Sequence, residues 1–329
     1  MKKSLILIAV CIILTLAGGC TRNKKSLLPN ISGKAGEVVV VIDRDSWEGN
    51  LGSETRSILA SDCPYLAQRE PMFNVTNVPP ASFTSLFKVH RNIVLMNVNP
   101  QIQETGVVYK HDEWAHPQAI VQINAHDADE AIVVLRDNSA SILEFLEQAE
   151  RDRIIANSIL YEEKGLRLPV EAVSGGRLHL PSGYKLRKQT DDFVWIADDK
   201  QYTNQYILVF KYPVSGRQPL ESKTLLDNIN SILQANVPGM VDNSYMVTSD
   251  AMPVTFTNLT YRQRQFVQVR GFWEVYNDYM GGPFVAHAFY SKDGKDIIVL
   301  YAFVYAPRYD KRLYFRQVES MLYSFEWVK

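Results

Sequence analysis

Cysteine is scarce in this 329-residue chain, which has only Cys11, Cys20 and Cys63. The first two lie within twenty residues of the start, so if Cys20 is modified only Cys63 is left and no intrachain disulfide can form. A surplus of positive charge is also missing. Thirty-five Lys and Arg stand against thirty-six Asp and Glu, which argues against nucleic-acid binding, since that calls for a basic domain. No apolar run reaches the ~20 residues of a membrane-spanning helix. The usual catalytic signatures are absent as well: there is no G-x-S-x-G elbow, no Walker loop and no Rossmann fingerprint behind a strand. No internal repeat is evident. These absences lead us to expect no catalytic residue, no cofactor and no metal.

The first residues read as an export signal. Lys2 and Lys3 precede the apolar run Ser4–Leu16, and the small residues Ala17, Gly18 and Gly19 precede Cys20. The stretch "LTLAGGC" resembles a bacterial lipobox, although Ala17 stands where leucine is usual. The resemblance implies cleavage before Cys20 and acylation of its thiol; an ordinary secreted protein is the alternative. Arg22, Lys24, Lys25 and Lys34 follow with no acid among them, as suits a solvated tether near anionic head groups. In lipoproteins of the kind this stretch resembles, export to the cell surface reads acidic residues just after the cysteine; Thr21–Ser26 has none, so the resemblance implies a protein held in the outer membrane and facing the periplasm. Its partners would be the membrane, through Cys20, and an envelope protein or glycan.

Patterning divides the chain into a signal peptide (1–19), an anchored linker (20–36), an N-terminal domain (37–164), a second linker (165–182) and a C-terminal domain (183–329). "GEVVVVID" and "RNIVLMNV" are continuous β-branched runs and predict buried strands. "VVYK" and "AIVQINA" predict two more. From His126 the period changes to helical: Asp127 and Glu130 make a capping box, and Asn138 divides two helices. The segment 165–182 is rich in Gly and Pro, hence the linker. Beyond it aromatics abound. "DFVWIAD", "QYILVFKY" and "RQFVQVRGFWEVY" predict strands, Asp293-Gly294 a hairpin turn, and "SKTLLDNINSILQANV" and "KRLYFRQVESMLYSF" helices. The irregular alternation of strands and helices predicts an α+β fold, with two α/β sandwich-like domains, mostly antiparallel sheets and helices packed on them.

Four places carry candidate chemistry. "HDEWAHP" gathers His111, Asp112, Glu113 and His116, but the two histidines are five apart and an inter-strand loop accounts for them equally well. Cys63 reads either as a small buried group or as a reactive or intermolecular thiol. Arg308, Lys311, Arg312 and Arg316 read as a solvated helix face, with an anion site as the alternative. The richest stretch is "RGFWEVYNDYMGGPF", where Glu274 and Asp278 stand four apart beside Trp273, Tyr276 and Tyr279. Trp273, Glu274, Asp278 and Tyr279 are the candidate binding residues, since paired carboxylates beside aromatic platforms suit glycans. The competing reading makes the aromatics core and Gly281-Gly282-Pro283 a tight turn.

"LPSGYKL", "DFVWI", "RGFWEVYNDYMGGPF" and "YAFVYAPRYDKRLYFRQVE", after "AERDRII", resemble a family of Bacteroidota lipoproteins, the domain of unknown function numbered 4837, over most of the mature chain. The resemblance implies an envelope lipoprotein and brings no catalytic residues. The closing strand, Pro307 and the final helix also resemble the end of PsbP/Mog1-type sandwiches, which implies binding or assembly. The expectation is therefore a non-catalytic, lipid-anchored binding or assembly module. The alternative is an envelope hydrolase acting on glycans through Glu274 and Asp278.

Overall fold

The computed structural model describes residues 27–328. The expected signal peptide, the Cys20 anchor and the stretch Thr21–Ser26 lie outside the described residues. No helix among the described residues is long and apolar enough to cross a membrane.

The first half is built on β1 (Glu37–Val41), β2 (Asn74–Val78), β3 (Asn92–Val98), β4 (Gly106–His111) and β5 (Ala119–Ala125), in the order β2-β1-β3-β5-β4. Helices α1 (Arg44–Glu48), α2 (Asn50–Leu59) and α3 (Ser85–Lys88) lie in the connections, and α4 (Ala128–Asp137) and α5 (Ser139–Leu160) follow the sheet. Antiparallel pairing predominates over the chain as a whole, and the α+β class holds, but this sheet departs from it. The β1–β2, β1–β3 and β3–β5 pairs are parallel, and only β4–β5 is antiparallel. The physical reason lies in the strands themselves. Val38 and Val40 pack with Ile142 and Leu146 of α5, while Val39 and Val41 pack with Phe83 and Phe87 on the other face. A sheet covered on both faces suits parallel strands. Before α4, Asp127 accepts from the Glu130 N–H at 2.9 Å, while the Glu130 carboxylate turns to the backbone and ring of His126, at 2.7 Å to each. Only half of the expected capping box therefore forms.

The expected linker 165–182 is not a linker in the structure. It contains α6 (Arg167–Ser174) and β6 (Gly176–Arg177), and Val170, Val173, Leu178 and Leu180 are buried in the C-terminal core. Gly175, at φ 67°, is the left-handed cap that stops α6. The glycine that reads as flexibility is a helix terminator.

The second half is an eight-stranded antiparallel sheet. Its strands are β7 (Lys185–Gln189), β8 (Phe193–Asp199), β9 (Asn204–Pro213), β10 (Tyr245–Thr248), β11 (Thr255–Tyr261), β12 (Arg264–Tyr276), β13 (Gly281–Tyr290) and β14 (Asp296–Tyr305). The order is β10-β12-β13-β14-β9-β8-β7, with β11 also on β12. Strict alternation along β14 feeds two cores. Ile298, Leu300, Ala302 and Val304 meet α6 and α8 (Arg312–Tyr323), while Ile297, Val299, Tyr301 and Phe303 meet α7 (Ser222–Asn236). A short β15 (Glu326–Trp327) pairs with β6. Among the described residues no sheet takes strands from both halves. Helix α8 lies against the C-terminal sheet and also packs on α5 of the first half.

Candidate functional site

On the α7 side of the C-terminal sheet a cavity of about 500 Å³ opens at one end of the strands. Its walls come from strands β7, β8, β9, β10, β12 and β14 and from the chain that leaves α7. Trp195 stands on β8, Tyr206 on β9, Trp273 on β12, and Phe303 and Tyr305 on β14. Met240, Met246 and Met280 close the remaining sides. The rings are mutually fixed. Tyr206 stacks on Phe303 at 4.6 Å between centroids, Trp273 meets Phe303 edge-on at 5.1 Å, and Trp195 meets Tyr206 edge-on at 6.1 Å. Trp273 is buried and donates its indole N–H to the Val304 carbonyl at 3.3 Å. The Trp195 indole N–H is buried with no acceptor among the described residues. Arg187 and Asp199, paired with each other, and Lys200 supply charge to the lining. Burial, with Asp199 beside it, pushes the Tyr206 hydroxyl well above its ordinary range, so it stays protonated. The result is an aromatic and thioether pocket with charge at one part of its wall, fit for a guest with an apolar body and a polar end.

The candidate residues around this pocket part company. Strand alternation sends Trp273 and Val275 to the α7 face and Glu274 to the other. Glu274 is exposed and accepts from Ser249 Oγ at 2.5 Å. Asp278 accepts from the Tyr279 N–H at 2.6 Å, as a turn residue does. Neither carboxylate lines the cavity. Tyr279 is fully exposed, and Tyr276 stacks on Tyr245 at 5.0 Å on the outside of the strand end. The expected tight turn at Gly281-Gly282-Pro283 is a strand start instead, because all three lie in β13. The turn residue with positive φ is Asn277, at 64°. Gly282 is needed for space: a Cβ there would stand 2.2 Å from the Val304 carbonyl oxygen and 3.0 Å from Trp273 Nε1.

The other candidates are engaged locally. Asp112 pairs with His116 at 2.8 Å, Glu113 with Lys110 at 3.4 Å, and His111 packs on Phe145 at 4.9 Å. Among the described residues no group of three His, Cys, Asp or Glu side chains is placed to hold a metal ion. Cys63 is partly buried and unpaired, and burial with Glu147 nearby pushes its thiol up to about 11. It is therefore protonated and a poor nucleophile at neutral pH.

The basic helix face is where the structure differs most from expectation. Lys311, Arg312 and Arg316 are 5%, 6% and 6% exposed. They are not solvated, because α5 and residues 70–72 of the first half lie over them. Glu70 accepts from the backbone N–H of Lys311 at 2.6 Å and of Arg312 at 2.8 Å. Arg312 donates to the Pro71 carbonyl, and Arg316 to the Met72 carbonyl at 3.0 Å and to the Glu147 carboxylate. The joint between the halves, which sequence reading missed, rests on these contacts. The available signal was that Arg312, Arg316 and Glu319 share a helix face with buried Phe315.

Residues 31–158 match the family described as Domain of unknown function (DUF8532). The resemblance to family 4837, expected over most of the mature chain, is confined to the second half. No curated protein matches the chain. Among solved structures, a point mutant of the protein Mog1 is similar, at 11% identity and a TM-score of 0.31, covering 47% of this chain and 92% of that one. Residues 168–324 match the family described as Domain of unknown function (DUF4837).

Proposed function

We propose that the chain is a non-catalytic binding module of the bacterial cell envelope, anchored through an acylated Cys20 and facing the periplasm from the outer membrane. Its ligand is an apolar or aromatic group presented by an envelope protein, received in the aromatic cavity of the second half. The observation that carries this reading is the cavity itself: about 500 Å³ walled by Trp195, Tyr206, Trp273, Phe303 and Tyr305. Beside it, Met240 and Tyr279 are exposed, as docking residues are. A glycan would stack on the same rings and find Arg187, Asp199, Lys200 and Asn204 as polar partners, but the thioethers of Met240, Met246 and Met280 favour an apolar group. The hydrolase reading has little support, since Glu274 and Asp278 are turned to Ser249 and the Tyr279 backbone rather than to a common space.

The test is a titration with the apolar fluorophore 1-anilinonaphthalene-8-sulfonate, with peptidoglycan fragments as the glycan arm. Saturable fluorophore binding that Trp195→Ala weakens at least tenfold is the expected result. Saturation by glycan fragments alone makes the ligand a sugar, and no saturation by either sinks the cavity as a binding site. Anchoring is tested separately: a palmitate analogue should label wild type and not Cys20→Ala, and equal labelling of both refutes the lipoprotein reading. Removal of the protein from intact cells by external protease, with periplasmic markers spared, refutes the periplasmic orientation.

A further inference from the structure

A second cavity, of about 240 Å³, lies between the two halves and is independent of the aromatic pocket. Its polar lining comprises Arg151, Arg270, Arg312, Arg316, Glu147 and Glu319. Two of the arginines have carboxylate partners, Arg270 with Glu319 and Arg316 with Glu147. The other two do not. Arg151 donates to the Gln148 side-chain oxygen at 2.6 Å and stands 4.0 Å over the Tyr323 ring, and Arg312 donates to the Pro71 carbonyl. Glu70, the remaining acid nearby, spends its carboxylate on helix N–H groups. Four guanidinium groups and two carboxylates thus line the cavity, and Cys63, also in the lining, adds no charge as a thiol.

Two donors on these arginines have no partner among the described residues, Arg316 Nη1 on the side of Gly36. Arg312 Nε and Arg316 Nη1 are buried without an acceptor among the described residues, on side chains that are each nine-tenths buried or more. A buried charged donor without an acceptor is costly. Burial, with Arg316 alongside, also pulls the Arg312 guanidinium below its ordinary value. What offsets the excess of guanidinium groups lining the cavity is one compact anion with several acceptor oxygens. A tetrahedral oxyanion meets arginine forks in the bidentate manner that a spherical ion does not.

We propose that the cavity between the halves is a site for a small oxyanion of the phosphate class, free or as a phosphomonoester, held by Arg151 from α5 and by Arg312 and Arg316 from α8. The occupant ties one half to the other, so it stabilises the joint as any ligand of the native state does.

The experiment is calorimetric titration of the full chain with inorganic phosphate at constant ionic strength, chloride making up the balance, together with thermal unfolding. Saturable binding and a phosphate-dependent rise in melting temperature are expected. Arg151→Gln leaves the buried cap and the carboxylate pairs intact and should weaken binding roughly tenfold or more, the worth of a charge-assisted hydrogen bond. Glu147→Gln frees Arg316 from its carboxylate and should tighten binding several-fold while weakening the joint. Loss of folding cannot produce these opposite signs. Absence of saturable binding to wild type overturns the proposal, and so does binding that both variants leave unchanged, which puts the ion elsewhere. Glycerol 3-phosphate is the second arm. Competition with phosphate assigns the site to a phosphoryl group on a larger molecule, and failure to compete overturns that source in favour of the free ion.

Discussion

Glu70→Ala tests the joint at its centre. Helix α8 has Lys311 at its N-cap position and no side-chain cap of its own. The cap comes instead from a carboxylate 241 positions earlier, which is 4% exposed. Its two oxygens take the N–H groups of Lys311 at 2.6 Å and Arg312 at 2.8 Å. Truncation leaves two buried donors without acceptors, at ~1–3 kcal/mol each. It also removes a negative charge from the positive end of the helix, worth ~0.3–1 kcal/mol and more when buried. Water entering the vacated space offsets part of the loss, so the expected cost is ~2–4 kcal/mol. Glu70→Gln keeps one acceptor but turns an amide donor toward the helix, and should cost ~1–2 kcal/mol. Urea unfolding followed by tryptophan fluorescence measures both. Because the cap belongs to one half and the helix to the other, the variant should also separate the unfolding of the two halves into distinct transitions. A loss below ~0.5 kcal/mol for Glu70→Ala would refute the reasoning, since a cap already dispensable on the surface is seldom worth less.

Three further outcomes follow from single side chains. His287 is fully buried against Phe266 and Tyr323, with Arg151, Arg264 and Arg270 as the charges around it, and burial holds its pKa well below the ordinary value. The unfolded chain therefore binds the proton first. Stability should be flat above ~6.5 and fall by ~1.4 kcal/mol per unit below it, a slope between pH 6.5 and 5 that His287→Phe should reduce; an unchanged slope in urea titrations would remove His287 from the account. Gly282→Ala places a Cβ 2.2 Å from a backbone oxygen and should cost ~1–3 kcal/mol by overpacking, read as a lowered melting temperature; an unshifted transition would mean that β13 and β14 part freely. Glu274→Gln touches an exposed side chain bonded only to Ser249 and should change stability by less than ~0.5 kcal/mol; loss of a glycan-hydrolysing activity in this variant would restore the carboxylate pair as a catalytic site.

What could be read in advance and what could not divide along a physical line. The hairpin at Asp293-Gly294 was legible because everything that makes it is local: a short connection, Ser291–Lys295, in which the Gly294 N–H donates to the Ser291 carbonyl at 3.0 Å and Gly294 takes φ 71°, between strands whose alternation points to their faces. The Asn138 boundary between α4 and α5 was legible for the same reason. The parallel order of the first sheet was half legible. The runs at Val38–Val41 and Ile93–Leu95 announced strands buried on both faces, but β2, "NVTNV", is polar and half exposed at the edge and carries no such signal. The cavity was less legible still, for a reason that no periodicity repairs. The patterns of β8, β9, β12 and β14 each mark an aromatic as buried, yet whether Trp195, Tyr206 and Phe303 fill a core or line a space depends on where the chain after α7 passes. The arginines of α8 show the limit most sharply. Arg316 and Glu319 stand three apart and read as a surface pair on one helix. In the structure each turns to another element: Arg316 to Glu147, 169 positions away on α5, and Glu319 to Arg270 on β12. A helix whose charges find partners on two different elements is buried on both sides, and one of those partners, Glu147, comes within reach only when the two halves meet.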